Sequence, residues 1–210
     1  MARMTGPDCK LCRREGIKLF LKGAKCDGPK CTIERRPSPP GVHGMRRARG
    51  KESPYKLRLR EKQKARRFYG IMEKQFRGYY DLAARQKGST GENLMRLLER
   101  RLDNTVFRAG FAQSRDDARQ LVLHRHLLVN GKIVATPSFL VRVGDVVAIK
   151  EASHRLDRIE GSTERAELRS IPTWLQSDLS TRQANVVSLP QRTDIDAPVR
   201  ETLIVEFYSR

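Results

Sequence analysis

All four cysteines of the chain fall within its first 31 residues, as Cys9, Cys12, Cys26 and Cys31. Cys9-Lys-Leu-Cys12 is a tight pair. Cys26-Asp-Gly-Pro-Lys-Cys31 is slightly wider, with Gly28-Pro29 supplying the turn, and residues 13–25 separate the two pairs. Two knuckles at this spacing can bring four thiolates to the corners of a tetrahedron. Four sulfurs close the coordination sphere and leave no position for water or substrate, so the pattern points to a structural metal and not a catalytic one. Zinc is the default. A four-cysteine set also holds iron–sulfur clusters, and the sequence leaves both open. Two disulfides would need an oxidising compartment. The opening Met1-Ala-Arg-Met-Thr-Gly-Pro7 has no apolar stretch behind a basic head, so no export signal is expected. A redox C-x-x-C is the remaining alternative, and no thioredoxin-like βαβ pattern surrounds it.

The same segment carries most of the charge. The 210 residues hold 43 Lys and Arg against 24 Asp and Glu, a net of +19. Residues 1–67 hold 21 basic and 6 acidic side chains, which is +15 of that excess, whereas residues 68–210 hold 22 and 18. Self-repulsion of this kind destabilises a compact state, so it is expected where a polyanion neutralises it. Each Lys or Arg laid against a phosphate releases condensed counterions, and affinity then falls steeply with salt. A disordered basic tail is the alternative. The cysteines argue against it, because metal binding would supply the folding free energy that a highly charged segment of ~40 residues lacks. Arg13, Arg14, Lys18 and Lys22, with Lys10, would then stand on a rigid frame around the knuckles. No run of about twenty apolar residues exists, so no membrane span is expected. Hydrophobic residues make up 38% of the chain and aromatics 6%, which suits small cores and not one large one.

Residues 34–50 are rich in Pro, Gly and Arg, including Pro37, Pro39, Pro40, Gly41, Gly44 and Gly50, which prevent regular structure. Arg35, Arg36, Arg46, Arg47 and Arg49, with His43 beside Gly44, could follow a nucleic-acid backbone closely, since glycine lets the main chain approach; a mobile linker is the bland alternative. Ser53-Pro54 predicts a helix start that runs to about Tyr69 and stops at Gly70. This helix carries Lys56, Arg58, Arg60, Lys62, Lys64, Arg66 and Arg67 over a thin apolar stripe. It is either solvated or docked on RNA, and the adjacent charge favours docking. A second helix over about 72–86 places Met72, Phe76, Tyr79, Tyr80 and Ala83 on one stripe, read as core in preference to a base-stacking platform.

From Glu92 to Ala109 the apolar residues Leu94, Leu98, Leu102, Val106 and Ala109 recur at helical spacing, and Gly110 ends the run. Ser114 reads as the N-cap of a short helix burying Ala118, Leu121 and Val122, with Arg115 and Arg119 sharing its exposed side. Leu127–Val129, Asn130-Gly131 and Lys132–Val134 read as a hairpin. Phe139–Ile149 reads as two more strands around Gly144-Asp145. Residues 153–185 are polar and poorly periodic, with no choice between helix and loop, although Trp174 is expected to pack a local core. Leu203–Tyr208 reads as a terminal strand.

Arg101-Leu-Asp-Asn104 through Ile149 resembles the αL RNA-binding module shared by several RNA-associated families. The whole chain resembles the family of bacterial small-subunit ribosomal protein four. The residues that carry the likeness run the length of the chain in order. They are the four-cysteine amino terminus, Arg36-Pro37 to His43-Gly44, Leu59-Arg-Glu-Lys-Gln-Lys64, Tyr69-Gly70, Glu73-Lys-Gln-Phe76, Leu98-Glu-Arg-Arg-Leu-Asp-Asn104, Ala118-Arg-Gln-Leu121, Val129-Asn-Gly131 and Val205-Glu-Phe-Tyr-Ser-Arg210. The resemblance implies a primary binder of small-subunit ribosomal RNA at a multi-helix junction of its 5′ domain. It implies a role in nucleating subunit assembly and an influence on translational accuracy, with repression of its own operon in some members. The implied partners are ribosomal RNA, neighbouring small-subunit proteins, especially protein five, and messenger RNA where it enters the subunit. The implied location is the cytoplasm, in the ribosome. Some members lack the cysteines; the full set here suggests that the metal is used. In the αL unit the resemblance nominates Arg115, Arg119, Arg125, His126 and Lys132 for RNA contact.

The expected fold is therefore α+β. A mainly helical, discontinuous body (51–92 with 190–210) carries an amino-terminal four-cysteine metal knuckle and basic Pro/Gly loop (1–50). Inserted in it is an αL module of a helix pair and a small antiparallel sheet, with its extension (93–189). Two other classes compete with this reading. An RNA-modifying enzyme built on an αL module would need a catalytic domain, and residues 150–210 show no such constellation. A zinc-finger DNA regulator would place base-reading side chains on a helix beside the metal, whereas here Pro-Gly loops follow it. No Ser-His-Asp set, H-E-x-x-H or phosphate loop is present, so neither catalysis nor a small-molecule substrate is expected.

Overall fold

The computed structural model describes residues 4, 6–42, 44, 53–156, 159–162 and 170–209. The described residues up to Gly91, together with those from Ala197 onward, form one compact unit, and Glu92–Asp196 form a second. The described part of 1–50 falls within the first.

In the first unit, three short helices precede two longer ones: α1 (Asp8–Glu15), α2 (Ala24–Asp27), α3 (Thr32–Arg35), α4 (Pro54–Phe68) and α5 (Glu73–Ala84). Ser53 caps α4 as expected. Its Oγ accepts the Lys56 N–H at 3.2 Å, and Pro54 opens the first turn. The helix stops at Phe68, and Gly70 follows at φ 65°, a conformation that is costly for a side-chain-bearing residue. α5 buries Phe76, Tyr79 and Ala83, one face of a 3.6-residue period. Tyr80 is half-buried. Met72 stands at the N-cap, exposed and off the stripe on which the sequence placed it.

From Glu92 onward α6 (Thr90–Glu99) lies in the second unit and is followed by α7 (Leu102–Arg108), where the spacing predicted one continuous helix. The break lies at Arg100-Arg101. Arg101 is extended (φ −65°, ψ 138°) and forms an antiparallel bridge with Leu140, while the Leu102 N–H donates to Phe139 O at 2.8 Å. The apolar positions survive the break, so periodicity alone could not reveal it. α8 (Arg115–Leu123) is capped by Ser114, whose Oγ accepts the Asp117 N–H at 3.2 Å.

Five short strands complete this unit: β1 (Leu127–Val129), β2 (Lys132–Ile133), β3 (Val146–Ile149), β4 (Leu175–Asp178) and β5 (Gln183–Val186). They pair antiparallel in the order β2-β1-β3-β5-β4, with Val129 opposite Val147 and Val147 opposite Ala184. Asn130 and Gly131 turn the β1–β2 hairpin at φ 50° and 75°, the paired positive angles that an Asn-Gly turn supplies. Of the two strands expected around Gly144-Asp145, only the second forms. Residues 139–141 instead bond the α6–α7 junction. β4 and β5 lie in the stretch left open between helix and loop. Leu127, Val129, Val147, Ile149, Ala184 and Val186 point to one face of the sheet. With Leu102, Val106, Leu121, Val122 and the fully buried Trp174 they make one hydrophobic core. The fold is thus mixed helix and small antiparallel sheet.

The segment read as a terminal strand is a helix, α9 (Glu201–Tyr208), and belongs to the first unit. A short Leu-Ile-Val run is ambiguous between the two periods. Tertiary packing decides: Ile204 is fully buried, and Phe207 and Tyr208, three and four residues on, share its side. Phe207 stacks obliquely on Tyr55 at 5.8 Å, and Tyr208 on Tyr80 at 4.7 Å. Lys62 lies 4.3 Å from the Phe207 ring centroid, and its Nζ donates to Glu73 at 2.9 Å, as does the Tyr208 hydroxyl at 2.7 Å. Burial alone would raise the Glu73 carboxyl. The bonds from Tyr208 and Lys62 and the charge of Arg66 outweigh it and hold the carboxyl below its usual value.

Candidate nucleic-acid interface

The basic side chains nominated from sequence separate into two classes. One class is tied up inside the protein. Arg115 and Arg119, expected on the exposed side of α8, are only 9% and 5% exposed. Arg119 donates to Asp103 Oδ2 at 3.2 Å. Arg115 Nε donates to Asn104 Oδ1 at 2.8 Å while its guanidinium sits 4.5 Å from the Phe107 ring centroid. Their i, i+4 spacing does place them on one side, but α7 covers it. A buried carboxylate and amide at Asp103-Asn104 supply the partners that make burying two cations tolerable. Lys62 is likewise buried, held by Glu73.

Most of the basic surface of α4 is also internally matched. Arg58 pairs with Glu206 at 2.6 Å, Lys64 with Glu61 at 2.5 Å and Arg66 with Glu73 at 2.8 Å. Arg60 (3.4 Å) and Arg67 both reach the Glu15 carboxylate, whose side chain is 2% exposed. Burial pulls the Arg67 guanidinium below its usual pKa against the attraction of Glu15. Glu15 ends α1, so this acid ties the cysteine-bearing segment to α4. Glu15→Ala should cost about 2 kcal/mol, because it strands two partly buried guanidinium groups. Urea unfolding of the full chain measures it.

The second class faces outward. Arg14, Arg35, Arg36, Arg125 and Lys132 are exposed. Lys56 is half-exposed on the first turn of α4. Lys22 is exposed at 3.9 Å from Asp8, and Lys18 pairs with Glu34 near the surface. Arg125 adopts φ 64° where α8 ends, so it stands at the corner that leads into β1. Arg13 serves the loop that follows α3: its Nε donates to Ser38 O at 2.8 Å and its Nη2 to Pro39 O at 3.3 Å. Gly44 in that loop is required to be small, since a Cβ there would meet the Pro39 carbonyl oxygen at 1.8 Å. His126 is half-buried, with Nδ1 2.9 Å from the Ser153 hydroxyl. Burial lowers its pKa, and His124 and Lys150 push the same way, which disfavours the charged ring. His43, Arg46, Arg47 and Arg49 lie outside the described residues.

The cysteines sit on three elements: Cys9 and Cys12 on α1, Cys26 on α2, and Cys31 at the start of α3. Among the described residues, no three His, Cys, Asp or Glu side chains are gathered closely enough to hold one ion, so the closed tetrahedron expected from the spacing is not formed in this structure. The donor set still fits such an ion. Cys12, Cys26 and Cys31 are buried and all four thiols are free. Backbone N–H groups point at two of the sulfurs, Lys22 N at 3.3 Å from Cys26 Sγ and Leu19 at Cys12. Burial pushes both thiols up, and the charges of neighbouring cysteines add to the shift.

One cationic cluster was not nominated from sequence, although Arg100 lies in the Leu98–Asn104 motif. Arg96, Arg100 and Arg142 belong to the second unit; no compositional run flags them, since about 40 residues of chain separate the first two from the third.

Comparison with known proteins agrees with this arrangement. Residues 3–99 match the family described as ribosomal protein S4/S9 N-terminal domain, and residues 100–147 match the S4 domain. Small ribosomal subunit protein uS4A of Symbiobacterium thermophilum is 55% identical over 210 residues, covering all of both chains. The uS4 proteins of Pelotomaculum thermopropionicum and Acidothermus cellulolyticus are 57% and 58% identical over the same full length. The chain belongs to the uS4 family of small ribosomal subunit proteins.

Proposed function

We propose that this chain is a structural component of the small ribosomal subunit in the cytoplasm and binds its ribosomal RNA directly. One observation carries the reading: likeness to proteins named for that subunit extends over all 210 residues. The physical picture supports it. The outward cations Arg14, Arg35, Arg36, Arg125 and Lys132 come from both units, while the buried polar groups of the site are spent on holding the fold. Such a surface recognises RNA by the positions of its phosphates, with little direct reading of bases. We assign the RNA target to the multi-helix junction of the 5′ domain. The protein would act there early in assembly and influence decoding accuracy, with protein five and incoming messenger RNA as neighbours. The reading is a non-enzymatic one.

The cysteine segment completes the proposal. Cys9, Cys12, Cys26 and Cys31 would hold one structural metal, zinc before an iron–sulfur cluster. That metal would supply cross-linking energy to a segment whose short helices bury few apolar side chains. Arg14, Arg35 and Arg36 lie on or beside those helices and would be presented on a stiff frame.

The test is salt-dependent binding of the full chain to a small-subunit 5′ domain transcript. Replacing Arg35 and Arg36 together by Gln should weaken binding and lower the slope of log K against log salt by about 1–2, up to ~0.9 for each phosphate left without its cation. A slope equal to the parent's would show that these residues do not face RNA.

A further inference from the structure

Arg96, Arg100 and Arg142 of the second unit are held near one another by backbone bonds, and none of the three makes an ion pair among the described residues. Arg96 and Arg100 stand four residues apart at the end of α6. The Arg100 N–H donates to Arg96 O at 3.1 Å, so one helical turn carries both on one side. Arg142 comes from the segment bonded to that turn. Its neighbour Val141 exchanges two bonds with Arg100: the Val141 N–H donates to Arg100 O at 2.9 Å, and Arg100 Nε–H donates to Val141 O at 2.9 Å. Burial first, then the charges of Arg142 and Arg96, pull the Arg100 guanidinium below its usual pKa.

Asp145 acts on Arg100 in the opposite sense, but its carboxylate oxygens face other donors and reach none of the three guanidinium groups. Oδ1 accepts from Asn130 Nδ2 at 2.8 Å, and Oδ2 accepts the Arg142 backbone N–H at 2.7 Å. Arg96 gives Nε to Pro190 O and Nη1 to Asn93 Oδ1, both at 3.3 Å, and none of the three arginines makes an ion pair among the described residues. The contrast within the same unit is sharp. Arg101 and Arg119 meet Asp103, and Arg108 meets Glu99 and Asp196. Like charges packed together work against folding, so a cluster that the protein leaves unmatched points to a ligand that matches it.

We propose that Arg96, Arg100 and Arg142 form a phosphate clamp, a second RNA-backbone contact of this unit apart from the outward Arg125 and Lys132. It rests on the ribosomal-RNA reading above and gives that reading a location. The bond to Val141 fixes the plane of the Arg100 guanidinium and leaves its two Nη groups as a fork for phosphate oxygens. An acidic protein is the other anionic partner. The fork of Arg100, the guanidinium of Arg142 and the remaining Nη2 of Arg96 offer more donors than the roughly four lone-pair sites of one carboxylate accept, whereas successive phosphates along a strand each present free oxygens.

The experiment uses the full chain, a small-subunit 5′ domain transcript and a potassium chloride series. Arg142 is exposed, and its side chain makes no hydrogen bond or ion pair among the described residues, so Arg142→Gln is the primary variant. It should weaken binding about three- to tenfold at fixed salt and lower the salt slope by about 1. Arg100→Lys, which keeps charge but loses the fork, should weaken binding with a smaller change in slope. The thermal midpoint of Arg142→Gln without RNA should equal or exceed the parent's, because repulsion is relieved; a merely structural arginine would lower it. An unchanged affinity and slope in Arg142→Gln overturns the clamp, whatever protein that surface then binds. A parent chain that does not bind the transcript overturns the RNA reading itself, which separates the two failures.

Discussion

Asp103→Ala should destabilise the second unit by about 3–5 kcal/mol, a large part of the ~5–15 kcal/mol typical of a domain. One carboxylate there serves four donors. Arg101 reaches Oδ1 from Nε at 3.0 Å and Oδ2 from Nη2 at 2.5 Å, Arg119 reaches Oδ2 at 3.2 Å, and the Asn104 N–H reaches Oδ1 at 2.9 Å. Arg101 is 1% exposed and Arg119 5%. Removing the acid takes one shared carboxylate away from two buried guanidinium groups, and breaking such a buried pair costs far more than the net value of the pair. Arg101 also bridges to Leu140 at the α6–α7 break, so the damage reaches the backbone bonds of that junction. Urea unfolding followed by tryptophan fluorescence reads the effect, because Trp174 lies in the core of the same unit. The double variant Asp103→Leu with Arg119→Met should recover part of the loss; a single-variant change under about 1 kcal/mol would show that the network contributes little.

The other large effect concerns the cysteine segment. Chelation, or Cys12→Ser or Cys26→Ser, should abolish protection from hydrogen exchange over residues 8–36 and weaken binding to the 5′ domain transcript by about tenfold or more. Structural zinc in small domains is worth about 10–16 kcal/mol of apparent folding free energy at pH 7. Described residues 6–42 bury only Leu19 among large aliphatic side chains, together with Cys12, Cys26 and Cys31. Elemental analysis of the purified chain should find one zinc, or iron with sulfide, per molecule. A metal-free chain with full exchange protection would remove the metal from the account and leave the Glu15 anchor to hold the segment.

What the sequence made legible follows from where local signals are strong. Ser53-Pro54, Ser114 and Asn130-Gly131 act through bonds and angles within four residues, and each forms the predicted structure. The failures are tertiary. Leu203–Tyr208 reads as a strand until Tyr55 and Tyr80 are brought against it. The break at Arg101 is invisible because the apolar spacing continues through it. Arg115 and Arg119 are spaced correctly for one face of α8, but only the fold reveals that Asp103 and Asn104 wait there. β4 and β5 were hidden by short length and polar outer faces. For the candidate interface, charge located the cationic segment, yet composition cannot distinguish an arginine that meets a phosphate from one that meets Glu15.

The helix at the far end of the sequence supplies half of the aromatic seam that closes on α4 and α5, and this imposes an order on biogenesis. A nascent chain emerges at ~5–20 residues per second, so α4 waits several seconds or more for Ile204, Phe207 and Tyr208, while every strand of the five-stranded sheet is already in hand. The enclosed segment can therefore mature on the ribosome that is making it. The flanking body can finish only once α9 has cleared the exit tunnel, the moment at which its cationic side chains first become a completed surface.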